Sequence, residues 1–267
     1  MTRVLDAFGV TVAVRSIDER VFRMLDRLLP PFPRLGPDRA ADVVYTVEMS
    51  PDLTATIRRG TDILAINRSP SAACLSLVAD LQTVLACNAP GMTFIHAGVV
   101  AFGDRALILP GHPGAGKTTL VAALLAGGAR YGSDEFAVVT ANGLVHSYAR
   151  PLSVKRASDC AQQVRAQSLG AEVIAEPLEA AMVAFLEYAP ASELGLLPLS
   201  QGAAVLRLLT HCLGARVRPH ETLAPLRALT SRAECVAGQR GDAADAAQRL
   251  LDVFKTRIAL ARSWRHC

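Results

Sequence analysis

The strongest chemical signal in the sequence is the run Gly111-His112-Pro113-Gly114-Ala115-Gly116-Lys117-Thr118. It fits the pattern G-x-x-x-x-G-K-[ST], in which glycines let the chain wrap until backbone N–H groups face the oxygens of a phosphate. A helix that starts at the lysine adds its electropositive N-terminus. Lys117 would reach the β- and γ-phosphates of a nucleoside triphosphate, and the Thr118 hydroxyl would ligate Mg²⁺. The expected phosphate-binding segment therefore runs from Gly111 through Thr119, with His112 as a tolerated variable position. Lys117 is also one of only three lysines among 28 basic residues. A chain that otherwise favours arginine keeps a lysine where the compact ammonium matters.

A second group lies directly after the helix that this loop opens. Ser133-Asp134-Glu135 precedes the apolar run FAVVT. One carboxylate can hold Mg²⁺ and the other can take a proton from an attacking hydroxyl. Thr118, Asp134 and Glu135 are the candidate metal ligands, and a solvated acidic turn is the plain alternative. The third group is His96, in IHAGVV, on a strand before the loop. Its imidazole would pair with Asp134; a satisfied strand-end histidine is the plain alternative.

These groups need elements to hold them. Thr93–Phe102 and Arg105–Leu109 read as strands, the second running into the loop, and Thr118–Ala126 reads as the helix leaving it, closed by Gly127-Gly128. Phe136–Thr140, the turn Asn142-Gly143 and Leu144–Tyr148 read as a hairpin. Further on, Asp159–Leu169 is expected to be helical, Met182–Glu187 a strand, and Ala203–Leu213 and Leu223–Arg232 helices. Glu234–Gly238 is expected to be a strand leading to Asp242, the cap of a last helix, Ala243–Ala259. Residues 1–90 read as a separate small α+β domain. It has a strand at Gly9–Arg15 and a helix at Asp18–Leu29 with Val21, Phe22, Leu25 and Leu28 at helical spacing. After the break PPFPRLGPD come a meander over Asp42–Met49, Leu53–Arg58 and Asp62–Asn67, and a helix from a Ser71 cap to about Cys87.

Composition limits the function classes. Of the 267 residues, 51% are hydrophobic and 19% charged, which supplies a core and excludes a disordered chain. The net charge of +4 comes without a dense Lys/Arg block, and aromatics are 5%, so no nucleic-acid partner is expected. The cysteines at 74, 87, 160, 212, 235 and 267 show no CxxC or zinc spacing. The first fifteen residues carry Arg3 and Asp6 and no apolar leader-like run, and no stretch of 18 residues is free of polar groups. A cytoplasmic protein with reduced thiols and no membrane partner is expected.

The three groups in this order, His96-Ala-Gly98-Val, then GHPGAGKT, then Arg130-Tyr-Gly-Ser-Asp134-Glu135, resemble the HPr kinase/phosphorylase superfamily over about residues 91–155, roughly a quarter of the chain. The resemblance implies an α/β fold: a P-loop kinase core similar to HPr kinase and to the nucleotide-binding part of phosphoenolpyruvate carboxykinase, with a small N-terminal α+β domain before it. The length and that N-terminal domain look like the HPr-kinase-related group, some of whose members phosphorylate a serine of a lasso-peptide precursor. By resemblance, Asp134 matches the acid assigned to proton transfer with the substrate serine. Glu135 stands where HPr kinases have a second aspartate, Thr118 replaces a serine with the same hydroxyl, and His96 matches the histidine near the catalytic acid. ATP is the implied nucleotide. The HPr kinase signature downstream of the acidic pair has no counterpart here, so neither HPr as substrate nor phosphorylase activity is implied.

The expected function is an Mg-ATP-dependent kinase that transfers the γ-phosphate to a hydroxyl, foremost serine, of a peptide or protein such as a ribosomal-peptide precursor. Lys117, Asp134 and His96 are the catalytic candidates. A kinase for a small hydroxylated molecule would use the same residues; an ATP-binding regulatory or assembly module without transfer chemistry is the alternative from another class. Arg150 and Lys155 are candidate phosphate clamps, with a solvated strand end as the plain alternative, and residues 156–180 a candidate lid or substrate clamp, with a surface helix pair as theirs. Arg207, His211, Arg216, Arg218 and His220 read as a solvated basic face, and residues 262–267 as a frayed tail.

Overall fold

The computed structural model describes residues 1–155 and 161–263 and is a mixed α/β structure with six helices. The chain divides into two compact units, Met1–Pro90 and Gly91–Cys267.

The first unit is a six-stranded sheet covered by helices. Strands β1 (Thr2–Ala7) and β2 (Val10–Ser16) form a hairpin whose turn, Phe8-Gly9, has positive φ at both residues, 56° and 82°. That is the left-handed pair a two-residue hairpin turn needs. The sequence reading does not anticipate β1. Helix α1 (Glu19–Leu25) starts on Asp18, whose side chain accepts from the Arg20 N–H, and stops short of the expected Leu29. Strand β3 (Arg34–Leu35) emerges from the proline-rich run and pairs with β1. The meander follows as β4 (Val43–Met49), β5 (Ala55–Arg59) and β6 (Asp62–Arg68), giving the order β3-β1-β2-β4-β5-β6.

Helix α2 (Pro70–Asn88) is capped by Ser69, two residues before the expected Ser71. Pro70 fits the first turn because its missing N–H would have no helical partner there. Among the described residues, α2 is the one helix long and apolar enough to cross a membrane. Here Leu77, Leu81 and Leu85 are fully buried on one face, and Asp80 accepts from the Tyr45 hydroxyl at 2.7 Å and from Arg59 at 2.9 Å. That is the environment of a core helix.

The second unit begins with β7 (Met92–Phe102) and β8 (Arg105–Pro110), then α3 (Lys117–Ala126), β9 (Arg130–Ser133), β10 (Phe136–Thr140) and β11 (Leu144–His146). A two-stranded ribbon, β12 (Leu152–Lys155) and β13 (Ala161–Val164), precedes β14 (Leu178–Tyr188) and β15 (Gly195–Pro198). Helices α4 (Gln201–Leu209) and α5 (Pro219–Arg232), strand β16 (Glu234–Arg240) and helix α6 (Ala243–Ser263) complete it. The main sheet runs β11-β10-β7-β8-β14-β16-β15, with β9 on β7 and a further pairing of β11 with β14. Strand β14 is parallel to both β8 and β16.

Alternation along the strands divides the core between the sheet's two faces. Ala106 and Ile108 pack with Val183, Phe185, Leu208 of α4 and Leu226 of α5. Leu107 and Leu109 pack with Met182, Leu120 and Leu124 of α3, and Leu250 and Phe254 of α6. Strand β8 is buried on both sides, which is why its sequence is a continuous apolar run rather than an alternating one.

Several expectations are corrected. The described part of Asp159–Leu169 is not an α-helix: Ala161–Val164 pairs with β12, and Ala166–Leu169 is a short 3₁₀ helix. Residues 156–160 lie outside the described residues, as do 264–267 of the expected tail. Within the stretch 156–180, residues 171–178 are seated on the second unit. Ala171, Ile174 and Leu178 are buried, and the Tyr131 N–H donates to the Glu172 carbonyl at 2.7 Å. Helix α4 ends at Leu209 instead of Leu213, because the next residues pair with β7: the His96 N–H donates to the His211 carbonyl at 2.8 Å. The Asp242 cap holds, with its carboxylate accepting from the Ala244 N–H at 2.7 Å. Cys74, Cys87, Cys212 and Cys235 are free thiols, and Cys160 and Cys267 lie outside the described residues.

Close packing of β9 on β7 leaves no room for a side chain at Gly132. A Cβ there would lie 2.7 Å from Val99 Cγ1 and 3.1 Å from Ile174 Cδ1. Gly132→Ala is expected to destabilise the second unit by about 1–3 kcal/mol, read as a lower urea midpoint. An unchanged midpoint would show that β9 is not seated as described.

Candidate active site

Strand β8 delivers the chain to the loop at Pro110, and α3 takes it up at Lys117. Between them Gly114 and Gly116 have φ of 83° and 76°, a conformation that costs glycine little and other residues more. No side chain caps the N-terminus of α3, so its first N–H groups are left for a ligand. The Lys117 ammonium folds back on the loop and donates to the carbonyls of Gly111 at 2.8 Å and His112 at 3.0 Å. Burial lowers its pKa, against the pull of Glu135 and Asp134.

The loop's shape is held from below by a residue the sequence reading does not single out. Arg240, at the end of β16, is 3% exposed and donates to the carbonyls of Ala115 at 3.2 Å and Gly116 at 3.1 Å. Burial lowers its pKa. A Cβ at Gly116 would lie 2.6 Å from the Arg240 guanidinium, so glycine is required there for space as well as for its φ. Nothing local in the sequence links two positions so far apart.

Asp134 is brought to the loop by β9. Its carboxylate is 3% exposed. The Thr118 hydroxyl donates to one oxygen at 2.9 Å, and the Tyr131 hydroxyl lies 3.0 Å from the other. Tyr131 also lies 2.9 Å from the Arg150 carbonyl, so its single proton is shared between two acceptors. Burial, reinforced by the Asp134 charge, raises the Tyr131 pKa, which keeps the phenol protonated as a donor. Tyr131 is a second residue the sequence reading misses.

Glu135 faces different partners. Arg150 donates to its carboxylate at 2.6 Å, and His96 Nδ1 lies 3.6 Å from the same carboxylate and 2.8 Å from the Glu135 carbonyl. A carbonyl only accepts, so Nδ1 carries the hydrogen and Nε2 keeps its lone pair in the neutral ring. The expected pairing of His96 with Asp134 is thus replaced by one with Glu135, because β7 and β10 place His96 opposite Phe136. Burial and Lys117 lower the His96 pKa against the attraction of Glu135. Arg150 is spent on Glu135, and the Lys155 side chain lies outside the described residues.

His211, read as part of a solvated basic face, instead lies beside the loop. Its ring centroid is 4.6 Å from that of His112, and its buried Nδ1 has no hydrogen-bond partner among the described residues. Arg207 lies over the Phe185 ring and Arg218 pairs with Glu221, while Arg216 and His220 are exposed.

Among the described residues, no group of three or more His, Cys, Asp or Glu side chains has metal-ligand spacing. The hydroxyl and carboxylate that do meet, Thr118 and Asp134, match the protein's share of a Mg²⁺ shell completed by phosphate oxygens and water.

Burial, with the proximity of the Lys117 ammonium and of other protonatable groups at the loop, pushes the His211 pKa from 6.5 down to about 4. The unfolded chain therefore binds more protons here than the folded one between those values, and stability falls as pH drops through that window. His211→Gln is expected to make urea midpoints between pH 7 and pH 4 fall less steeply than in the wild type. An unchanged slope would place His211 in solvent.

Compared with known proteins, the chain matches no protein-family model and no curated protein sequence.

Proposed function

We propose that the second unit is a P-loop kinase core of the HPr-kinase-related kind, transferring the γ-phosphate of Mg-ATP to a serine hydroxyl of a peptide or protein. The observation that carries this reading is the 2.9 Å hydrogen bond from Thr118, next to the loop lysine, to the buried Asp134 carboxylate. It joins a phosphate-binding loop to a group able to accept a proton, the two parts that phosphoryl transfer to a hydroxyl requires.

The N–H groups of Gly114 and of Gly116 through Thr119 and the Lys117 ammonium bind the phosphates, the lysine exchanging the Gly111 and His112 carbonyls for phosphate oxygens. Thr118, backed by its hydrogen bond to Asp134, would hold Mg²⁺, which would neutralise charge on the transferred group when bound. Asp134 accepts the proton of the acceptor hydroxyl as that oxygen bonds to phosphorus and the bond to the leaving diphosphate breaks. Tyr131 orients the carboxylate. His96 and Arg150 hold Glu135 beside it, and Glu135 would reach the metal only by giving up Arg150. The four free thiols suit a reducing, cytoplasmic setting.

The test is mass spectrometry of a serine-containing precursor peptide encoded beside the gene, after incubation with Mg-ATP and the full chain. The expected result is a gain of one phosphate on serine, slowed about 10²–10⁴-fold in Asp134→Asn while nucleotide binding persists. Transfer unaffected by Asp134→Asn would overturn the proton-transfer role. Nucleotide binding without transfer to peptide or small-molecule hydroxyls would leave a regulatory module.

A further inference from the structure

A cleft at the carboxyl ends of β14 and β16 has no part in the chemistry above. It measures about 340 Å³ and is lined by Tyr188, Glu193, Leu194, Asp242, Asp245 and Arg249 among others. Strand β14 lies between β8 and β16 and is parallel to both, so the loop after β8, Tyr188 at the end of β14 and Arg240 at the end of β16 share one edge of the sheet. Ligands of such sheets bind at that edge.

Arg240 ties the cleft to the loop. Its guanidinium donates to Ala115 and Gly116 and lies 5.4 Å from the centre of the Tyr188 ring. One face of Tyr188 is thus taken by a buried cation, yet the residue is 60% exposed. An exposed ring fixed from behind is a platform for a flat, neutral ligand group. Direction along the sheet agrees. Asp134 approaches the loop from β9, which pairs with β7 on one side of β8, whereas the cleft lies on the β14 side. A nucleotide with its γ end at Thr118 and Asp134 extends its other end away from them.

Charge then selects what the cleft takes. Three carboxylates, Glu193, Asp242 and Asp245, face one guanidinium, Arg249, which is itself paired with Glu193 at 2.8 Å. A second phosphate would be repelled there. A neutral nucleoside, rich in O–H and N–H donors, would not. We infer that this cleft is the nucleoside subsite, with the base stacked on the open face of Tyr188 and the ribose hydroxyls donating to Asp245 or Asp242. The inference rests on the loop being a nucleotide phosphate site.

Titration calorimetry on the full chain tests it with two probes, Mg-ATP and magnesium tripolyphosphate, which lacks the nucleoside. Tyr188→Ala is expected to weaken Mg-ATP about 5- to 150-fold, the range for loss of one base–aromatic stack, with tripolyphosphate affinity within about twofold. Asp245→Asn, an exposed change remote from the loop, is expected to weaken Mg-ATP only, by a few-fold. Photolabelling with 8-azido-ATP is expected to mark residues 188–194 or 241–249. Unchanged Mg-ATP affinity in both variants would overturn the subsite and leave the phosphate site standing. Equal loss of both probes in Tyr188→Ala, with no effect of Asp245→Asn, would mean that Tyr188 only props Arg240, and would also overturn it. Failure of the wild type to bind tripolyphosphate or Mg-ATP would overturn the phosphate site and this inference together.

Discussion

A carboxylate buried to the extent of Asp134 must find hydrogen-bond donors inside the protein, because an unpaired buried charge costs several kcal/mol. Its donors come from two elements, Thr118 on α3 and Tyr131 on β9. That requirement fixes much of the second unit. It sets α3 against β9, and it depends on β9 lying close to β7, which Gly132 permits. The Tyr131 hydroxyl shares its one proton between Asp134 and the Arg150 carbonyl, and so also ties down the start of the following segment. One buried charge therefore couples the loop, the helix and the sheet.

The cations around the loop have separate tasks. Arg240 is committed to the loop's carbonyls and sets its curvature, while Arg150 is committed to Glu135. Among the described residues Lys117 is bound only to carbonyls of the loop itself, so it can turn to a phosphate without breaking an ion pair. His96, His112 and His211 lie nearby, and burial keeps His96 and His211 below the usual imidazole range. The loop therefore presents positive charge from Lys117 and its amides, without a crowd of fixed charges competing for the same oxygens.

The sequence made the linear parts of the site legible and hid the parts that depend on tertiary contact. The loop, the helix after it and the acidic pair are contiguous and typed by residue chemistry, so the loop's flanking strand and helix could be read with boundaries shifted by a residue or so, while β9, which leads into the acidic pair, could not. Arg240 and His211 could not, since each reaches the loop from an element distant in the sequence and neither sits in a motif. Tyr131 was hidden because a tyrosine on a buried strand reads as core. The partner of His96 went to Glu135 because strand register, invisible in one sequence, decides it. In the rest of the fold, the short β3, β12 and β15 escaped detection because pairing, not pattern, makes them strands.

The central claim is that Thr118 and Asp134 form one metal-binding corner of a nucleotide site. Crystals grown with Mn²⁺ and a non-hydrolysable ATP analogue would test it through the anomalous signal of the metal. The account predicts one Mn²⁺ peak at the Thr118 hydroxyl, adjacent to Asp134, with the phosphates lying on the amides of Gly114 and of Gly116 through Thr119. Phosphates bound elsewhere, or a metal held away from both Thr118 and Asp134, would contradict it.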